Sequence, residues 1–153
     1  MKLFLSLLTF LILIQGCGEK NAFSRFNLSN QQELGLNSLQ SSKLKSGKNV
    51  NGVVSVIYLN QIEPDRFKSG EVFYVFMYTK DKSLPLIFRL NGMLPSYSVK
   101  ELKNENDFTY LTSVDTDWNR YFIVTFPKQG DKLNFKVSNG NFSSDVLKFE
   151  KDE

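Results

Sequence analysis

Few side chains in this chain are equipped for covalent chemistry. There is no histidine among the 153 residues and a single cysteine, Cys17. Without histidine the chain lacks the side chain best suited to proton transfer near neutral pH, and the commonest metal ligand. Nucleophilic triads of the Ser-His-Asp or Cys-His type are therefore excluded. One cysteine cannot form an intramolecular disulfide. Carboxylates remain: Glu63, Asp65, Glu71, Glu101, Glu105, Asp107, Asp115 and Asp117. Glycoside hydrolysis needs two of them converging across a sugar. Sixteen acidic residues supply such pairs by chance, and these fall mostly at turns, where solvated charges belong. The expectation is a protein that is not an enzyme and carries no cofactor.

Asp115-Thr116-Asp117-Trp118-Asn119 alternates oxygen ligands like the start of a calcium loop. The glycine such a loop needs at its sixth place is Arg120, and the glutamate at its twelfth is Phe126. A loop of acidic turn residues is the better reading, and no metal site is expected. Asn139-Gly140-Asn141 reads as a hairpin turn, not a phosphate cradle. Aromatic side chains are the feature with binding potential. Trp118 lies in a polar stretch, and Tyr97 and Tyr110 flank weak strands. Rings near loops stack on sugars or anchor protein interfaces, and equally cover the ends of a core.

Charge directs the chain to no particular polyanion. The formal net charge is +3, and removal of a leader carrying Lys2 leaves 18 basic against 16 acidic residues. Basic and acidic residues alternate without a long run, so no nucleic-acid partner is expected.

The elements that must position these residues begin with a leader. Met1 and Lys2 precede a 12-residue apolar run, Leu3 to Ile14, broken only by Ser6 and Thr9. That is short of the about 20 residues a helix needs to span a bilayer, and has the form of a secretory signal. Ile14-Gln15-Gly16-Cys17 follows. This stretch resembles the bacterial lipobox: an aliphatic residue, a variable one and a small one before an obligatory cysteine, with Gln15 in place of the commoner Ala, Ser or Thr. The resemblance covers the first 17 residues. It implies cleavage before Cys17, diacylglycerol on its thiol and a palmitate-type chain on the new amine. Two or more acyl chains anchor stably, at about 0.8 kcal/mol per buried CH₂. Gly18 stands where an aspartate would imply inner-membrane retention in enterobacteria-like sorting, so the expected address is the bacterial cell envelope, and its outer membrane if the organism has one.

From Gly18 to about Gly52, Asn, Ser, Gln, Lys and Gly dominate. Such a segment buries too little apolar surface to offset its ordering entropy, and reads as a flexible tether. About 34 such residues have an r.m.s. reach of roughly 30–35 Å. Leu28, Leu34, Leu36, Leu39 and Leu44 allow a short helix around 30–44, against which Gly35 argues. The expected division is 1–16 signal peptide, 17–52 lipidated cysteine and linker, and 53–153 folded domain.

Beyond Val53, β-type runs recur between turn signals. They cover Val53–Leu59, Glu71–Thr79, Leu84–Leu90, Tyr97–Leu102, Phe108–Val114, Tyr121–Phe126, Leu133–Val137 and Val146–Phe149. Leu133, Phe135 and Val137 alternate with Asn134, Lys136 and Ser138, the mark of a half-buried strand with Phe135 in the core. The run Val72–Tyr78 is apolar on both faces, so its outer face must be covered or sticky. Seven or eight short strands without a convincing helix predict an all-β, antiparallel sandwich or small barrel. Trp118 to Pro127 and then Gly130 to Gly140 resemble the closing strands of bacterial immunoglobulin-like or fibronectin-III-like domains, over about 35 residues. That resemblance implies an immunoglobulin-like β-sandwich of about seven strands.

Three functional readings stay open. One is a non-catalytic envelope lipoprotein whose domain presents a protein-binding or scaffolding surface. The second is a carbohydrate- or ligand-binding module using Trp118, Tyr97 and Tyr110. The third is an inhibitor lipoprotein.

Overall fold

The computed structural model describes residues 29–94 and 98–151. Cys17, the leader and Tyr97 lie outside the described residues. The elements are α1 (Asn30–Asn37), β1 (Gln40–Ser46), β2 (Asn49–Tyr58), α2 (Leu59–Ile62), β3 (Glu71–Thr79), β4 (Leu86–Leu90), β5 (Ser98–Leu102), a 3₁₀ turn (Thr109–Leu111), β6 (Arg120–Phe126), β7 (Lys132–Asn139), β8 (Phe142–Ser143) and β9 (Leu147–Glu150). All strand pairs are antiparallel. The fold is all-β, as the run of short alternating segments predicts.

The strands form one curled path, β4-β7-β8-β1-β2-β3-β6-β5, with β9 added to β7. It has two halves. β1-β2-β3-β6-β5 is one; β4, β7, β8 and β9 are the other. A single residue pair, Lys45 with Ser143, carries the ladder from β1 to β8. The inward faces of both halves contribute to one core. Phe73, Val75, Met77, Phe122 and Val124 come from the first half, and Phe88, Leu90, Leu133, Phe135 and Val137 from the second. Phe73 and Phe135 meet at 4.7 Å between ring centroids, and Phe88 and Phe122 at 5.4 Å. Such tilted pairs add about 0.5–1.5 kcal/mol each beyond their buried area.

The alternation in β7 holds residue by residue: Leu133, Phe135 and Val137 are fully buried while Lys132, Asn134 and Lys136 are exposed. β3 occupies the residues its sequence predicts and is buried on both faces. Phe73, Val75 and Met77 point to the main core. Val72, Tyr74 and Phe76 point the other way, into a second cluster with Ile57, Leu59, Ile62, Phe108, Leu111 and Tyr121. The cover comes from α2 and from the segment between β5 and β6. Phe108–Val114 is thus not the strand its residues suggest. The Asn106 side chain accepts from Phe108 N–H at 3.0 Å and its carbonyl accepts from Thr109 Oγ1 at 2.9 Å, turning the chain into the 3₁₀ turn. That turn drops Phe108 and Leu111 onto β3.

The folded part starts earlier than Val53, which corrects the expected linker of residues 17–52 over residues 29–52; residues 17–28 lie outside the described residues. β1 pairs with β2 over Gln40–Ser46, so much of the polar stretch is sheet. Only Leu44 and Ser42 of β1 face inward, and Ser42 is satisfied by donating to the Lys43 carbonyl and accepting from Asp145 N–H. The strand's stability comes from its ladder, not from apolar side chains, so its composition is that of a linker. α1 is held by a capping box. Ser29 Oγ accepts from Gln32 N–H at 3.2 Å, and Ser29 N–H donates to Gln32 Oε1 at 3.0 Å. Gly35 is not a breaker here but a contact: a Cβ at that position would lie 3.2 Å from Leu111 Cβ. The missing side chain lets α1 seat on the 3₁₀ turn.

A bulge between Leu44 and Lys45 of the β1–β2 ladder leaves Asn51 as an extra residue. Its side chain is buried and donates to Asn139 Oδ1 at 2.5 Å. Asn139, fully buried, in turn donates to the Leu84 carbonyl at 3.0 Å. This amide chain links the two halves of the sheet from inside.

Candidate functional site

The residues that sequence reasoning singled out land in different surroundings. Trp118, in the loop before β6, is 74% exposed. A shallow hollow beside that loop is lined by Lys103, Asn104, Glu105, Asp115 and Asp117, with Asn104 Nδ2 bonded to Asp117 Oδ1. No group of three or more potential metal ligands occurs among the described residues. Tyr110 is half-buried against the second cluster. Its hydroxyl donates to Glu63 Oε1 at 2.8 Å, and its carbonyl accepts from Gln32 Nε2 at 2.9 Å. Burial first, and the bond to Glu63 second, push the Tyr110 hydroxyl up to about 12. Tyr110 ties α1 to the domain, and its ring is not offered to a ligand as Trp118 is.

A second site has no counterpart in the sequence reading. The path of the sheet ends at β4 on one side and β5 on the other, and both end strands line one cleft. A cleft of about 380 Å³ lies between them, lined by Leu86, Ile87, Phe88, Leu94, Val99, Glu101, Arg120 and Phe122. Phe88 and Phe122 are buried beneath it, while Ile87, Leu94 and Val99 are exposed at its rim. At one side Arg120 grips Glu101 with two parallel bonds, Nε to Oε1 at 2.7 Å and Nη2 to Oε2 at 2.9 Å. The Arg120 guanidinium also lies 5.0 Å from the Phe122 ring centroid. The hydrogen bonds from Arg120 hold the Glu101 carboxyl below the usual carboxylate range, against the opposing effect of burial. A fixed ion pair beside exposed aliphatic side chains offers an orienting polar group in an apolar setting, the composition of a recognition cleft.

Geometry also brings open backbone to the same place. Among the described residues β5 pairs only with β6. β4 pairs only with β7, apart from the Leu90–Met93 bridge just past its end. The Leu90 N–H donates to Met93 and the Asn91 N–H to Asn134 of β7, so even-numbered residues of β4 turn their backbone groups away from β7. Such edges are ready to accept an added strand. What placed β4 beside β5 is the curl of the whole sheet, which no local pattern announces.

One buried charge lies apart from both sites. Glu71, 1% exposed, accepts from Tyr58 Oη at 2.5 Å, Lys151 Nζ at 2.7 Å and Gln129 N–H at 2.8 Å. Every partner belongs to the protein, and the group clasps the ends of β2, β3 and β9 together. Against this geometry, no family model matches the chain, and no curated protein and no solved structure is significantly similar to it.

Proposed function

We propose that the chain is a non-catalytic lipoprotein of the bacterial cell envelope, anchored through lipid on Cys17, whose β domain binds a protein partner at the seam between β4 and β5. The observation that carries the reading is the coincidence of two open strand edges with an exposed apolar rim, Ile87, Leu94 and Val99. An extended segment of a partner fits such a seam: backbone bonds to the edge give affinity, and alternate side chains enter the cleft over Phe88 and Phe122. The leader and the lipobox-like Ile14–Cys17 support the anchor.

The test is photo-crosslinking in cells. A photoreactive residue at Val99 or Ile87 should yield a discrete adduct, lost when Leu94→Asp is added; the same residue at Ser41 should yield none. Equal adducts at Ser41, or none at the seam, would overturn the reading. Cys17→Ala should move the protein from the membrane to the soluble fraction; retention on the membrane would refute the lipid anchor.

Trp118 supports a second reading, carbohydrate binding. An exposed ring beside amide and carboxylate groups is the chemistry that holds sugars. As Trp118 is the single tryptophan, its fluorescence reports directly. Envelope glycans that leave its emission unchanged would remove this reading.

A further inference from the structure

The outward face of β4, β7 and β9 concentrates positive charge that the sequence scatters. Arg89, Lys132, Lys136 and Lys148 line one hollow of about 760 Å³. The two-residue period of β7 puts Lys132, Asn134 and Lys136 on one side, opposite the core residues Leu133, Phe135 and Val137. Register then sets Arg89 directly across from Lys136, and Lys148 across from Asn134. Like charges directly opposite on neighbouring strands destabilise a sheet, so the pair Arg89–Lys136 works against the fold. No ion pair among the described residues involves any of the four. Glu150, across from Lys132, is the acid that shares the face.

The face is also rigid. Asn91 accepts from Asn134 N–H at 2.9 Å and donates to the Lys132 carbonyl at 3.1 Å, clamping the turn after β4 onto β7. Aliphatic side chains are exposed around the charges. Val146 lines the hollow, and Met93 stands in the adjoining turn. No aromatic ring lines the hollow, so it lacks the stacking platform of single-stranded nucleic-acid sites. Clustered cations beside exposed apolar side chains are the composition of surfaces that settle on anionic bilayers, the charges on the headgroups and the apolar groups below them.

We propose that the outward face of β4, β7 and β9 is a membrane-docking surface for anionic phospholipid headgroups, with Arg89, Lys132, Lys136 and Lys148 as its cations. It is distinct from the seam, and holds whether or not the seam takes a protein partner. Docked this way, the domain lies down on the bilayer instead of standing off it.

The test is co-sedimentation of the mature chain, residues 17–153 without acyl chains, with vesicles of phosphatidylcholine alone or mixed with phosphatidylglycerol. The wild type should favour the mixed vesicles at low salt and lose that preference at high salt. The triple variant Lys132→Gln, Lys136→Gln, Lys148→Gln should lose it at low salt, at roughly fivefold in partitioning per charge. A charge-matched control, Lys43→Gln, Lys100→Gln, Lys103→Gln, should keep it. Circular dichroism checks that both variants fold. Equal loss in both triples would show that net charge alone is at work and overturn the proposal. So would a wild type that treats the two vesicles alike. Binding to a single-stranded oligonucleotide that depends on the triple, without vesicle preference, would assign the face to a different polyanion and overturn it as well.

Discussion

At the start of β3, Glu71 carries a charge into the interior, and its surroundings determine what that does. Burial by itself would raise its carboxyl, but the bonds from Lys151, Tyr58 and the Gln129 backbone outweigh it and hold the group below the usual 4.5. A carboxyl depressed in the folded state contributes stability that is fully present above its unfolded value and lost as pH falls through the folded one. Wild-type stability should therefore decline as pH drops below about 4.5. Glu71→Gln should be less stable at neutral pH and show a shallower decline, measured by urea midpoints across that range. Identical slopes would show that the clasp is not a charged one. At the same scale, Phe135→Ala removes a fully buried ring and should cost about 3–5 kcal/mol. Lys136→Ala should cost nothing, and even stabilise by a few tenths of a kcal/mol as the repulsion from Arg89 goes. Equal effects would refute the face assignment of β7. Phe135 is legible in the sequence because its neighbours at two-residue spacing share its character. Glu71 is not, because its partners Tyr58, Gln129 and Lys151 stand 13, 58 and 80 residues away.

Among elements, those rich in apolar side chains are the ones the sequence declares. β3, β6 and β7 follow from their own residues. β1 does not, because a polar strand earns its place through backbone pairing and one inward leucine. α1 lies within the stretch around 30–44 that its leucines allow to be helical. Gly35 weakens that reading in the sequence, whereas the fold uses it as the small surface that meets Leu111. The 3₁₀ turn is missed because Phe108, Tyr110 and Leu111 have strand-like character while Asn106 sets the local geometry. The consequence for proteolysis is direct. Brief digestion should leave a fragment that still contains Gln40–Ser46, because those backbone groups are paired. Mass spectrometry of a stable fragment starting near Val53 would show that β1 is not held to the sheet.

For the molecule as a whole, the two proposed binding surfaces are ones that only the complete topology assembles. The seam is lined by both end strands of the path, and the basic face by alternate residues of three strands, scattered in sequence, that share one side. Of the aromatic candidates Trp118, Tyr97 and Tyr110 that residue type brings forward, Trp118 is exposed, Tyr110 is half-buried, and Tyr97 lies outside the described residues. Between the halves the internal tie is the Asn51–Asn139 pair. Asn139→Ala would leave the buried Asn51 Nδ2 without its partner and remove the bond to the Leu84 carbonyl. The expected loss is about 1–3 kcal/mol, read from thermal or urea unfolding. A neutral result would mean that the halves are held by core packing alone.

The bridge from β1 to β8 also has a consequence in time. Lys45 contacts Asp145 across 100 residues of chain, beside the one residue pair that completes the sheet path. β1 therefore leaves a ribosome or a translocation pore long before its outer neighbour does. Until β8 and β9 arrive, its open edge can be satisfied only by water or by another chain. Contacts of such long range also make folding slow, on the order of milliseconds to seconds for β proteins of this size. The interval between emergence and closure is then the period when this protein is most prone to self-association. A chain truncated after residue 140, which can never close, should form oligomers by light scattering under conditions where the full chain stays monodisperse.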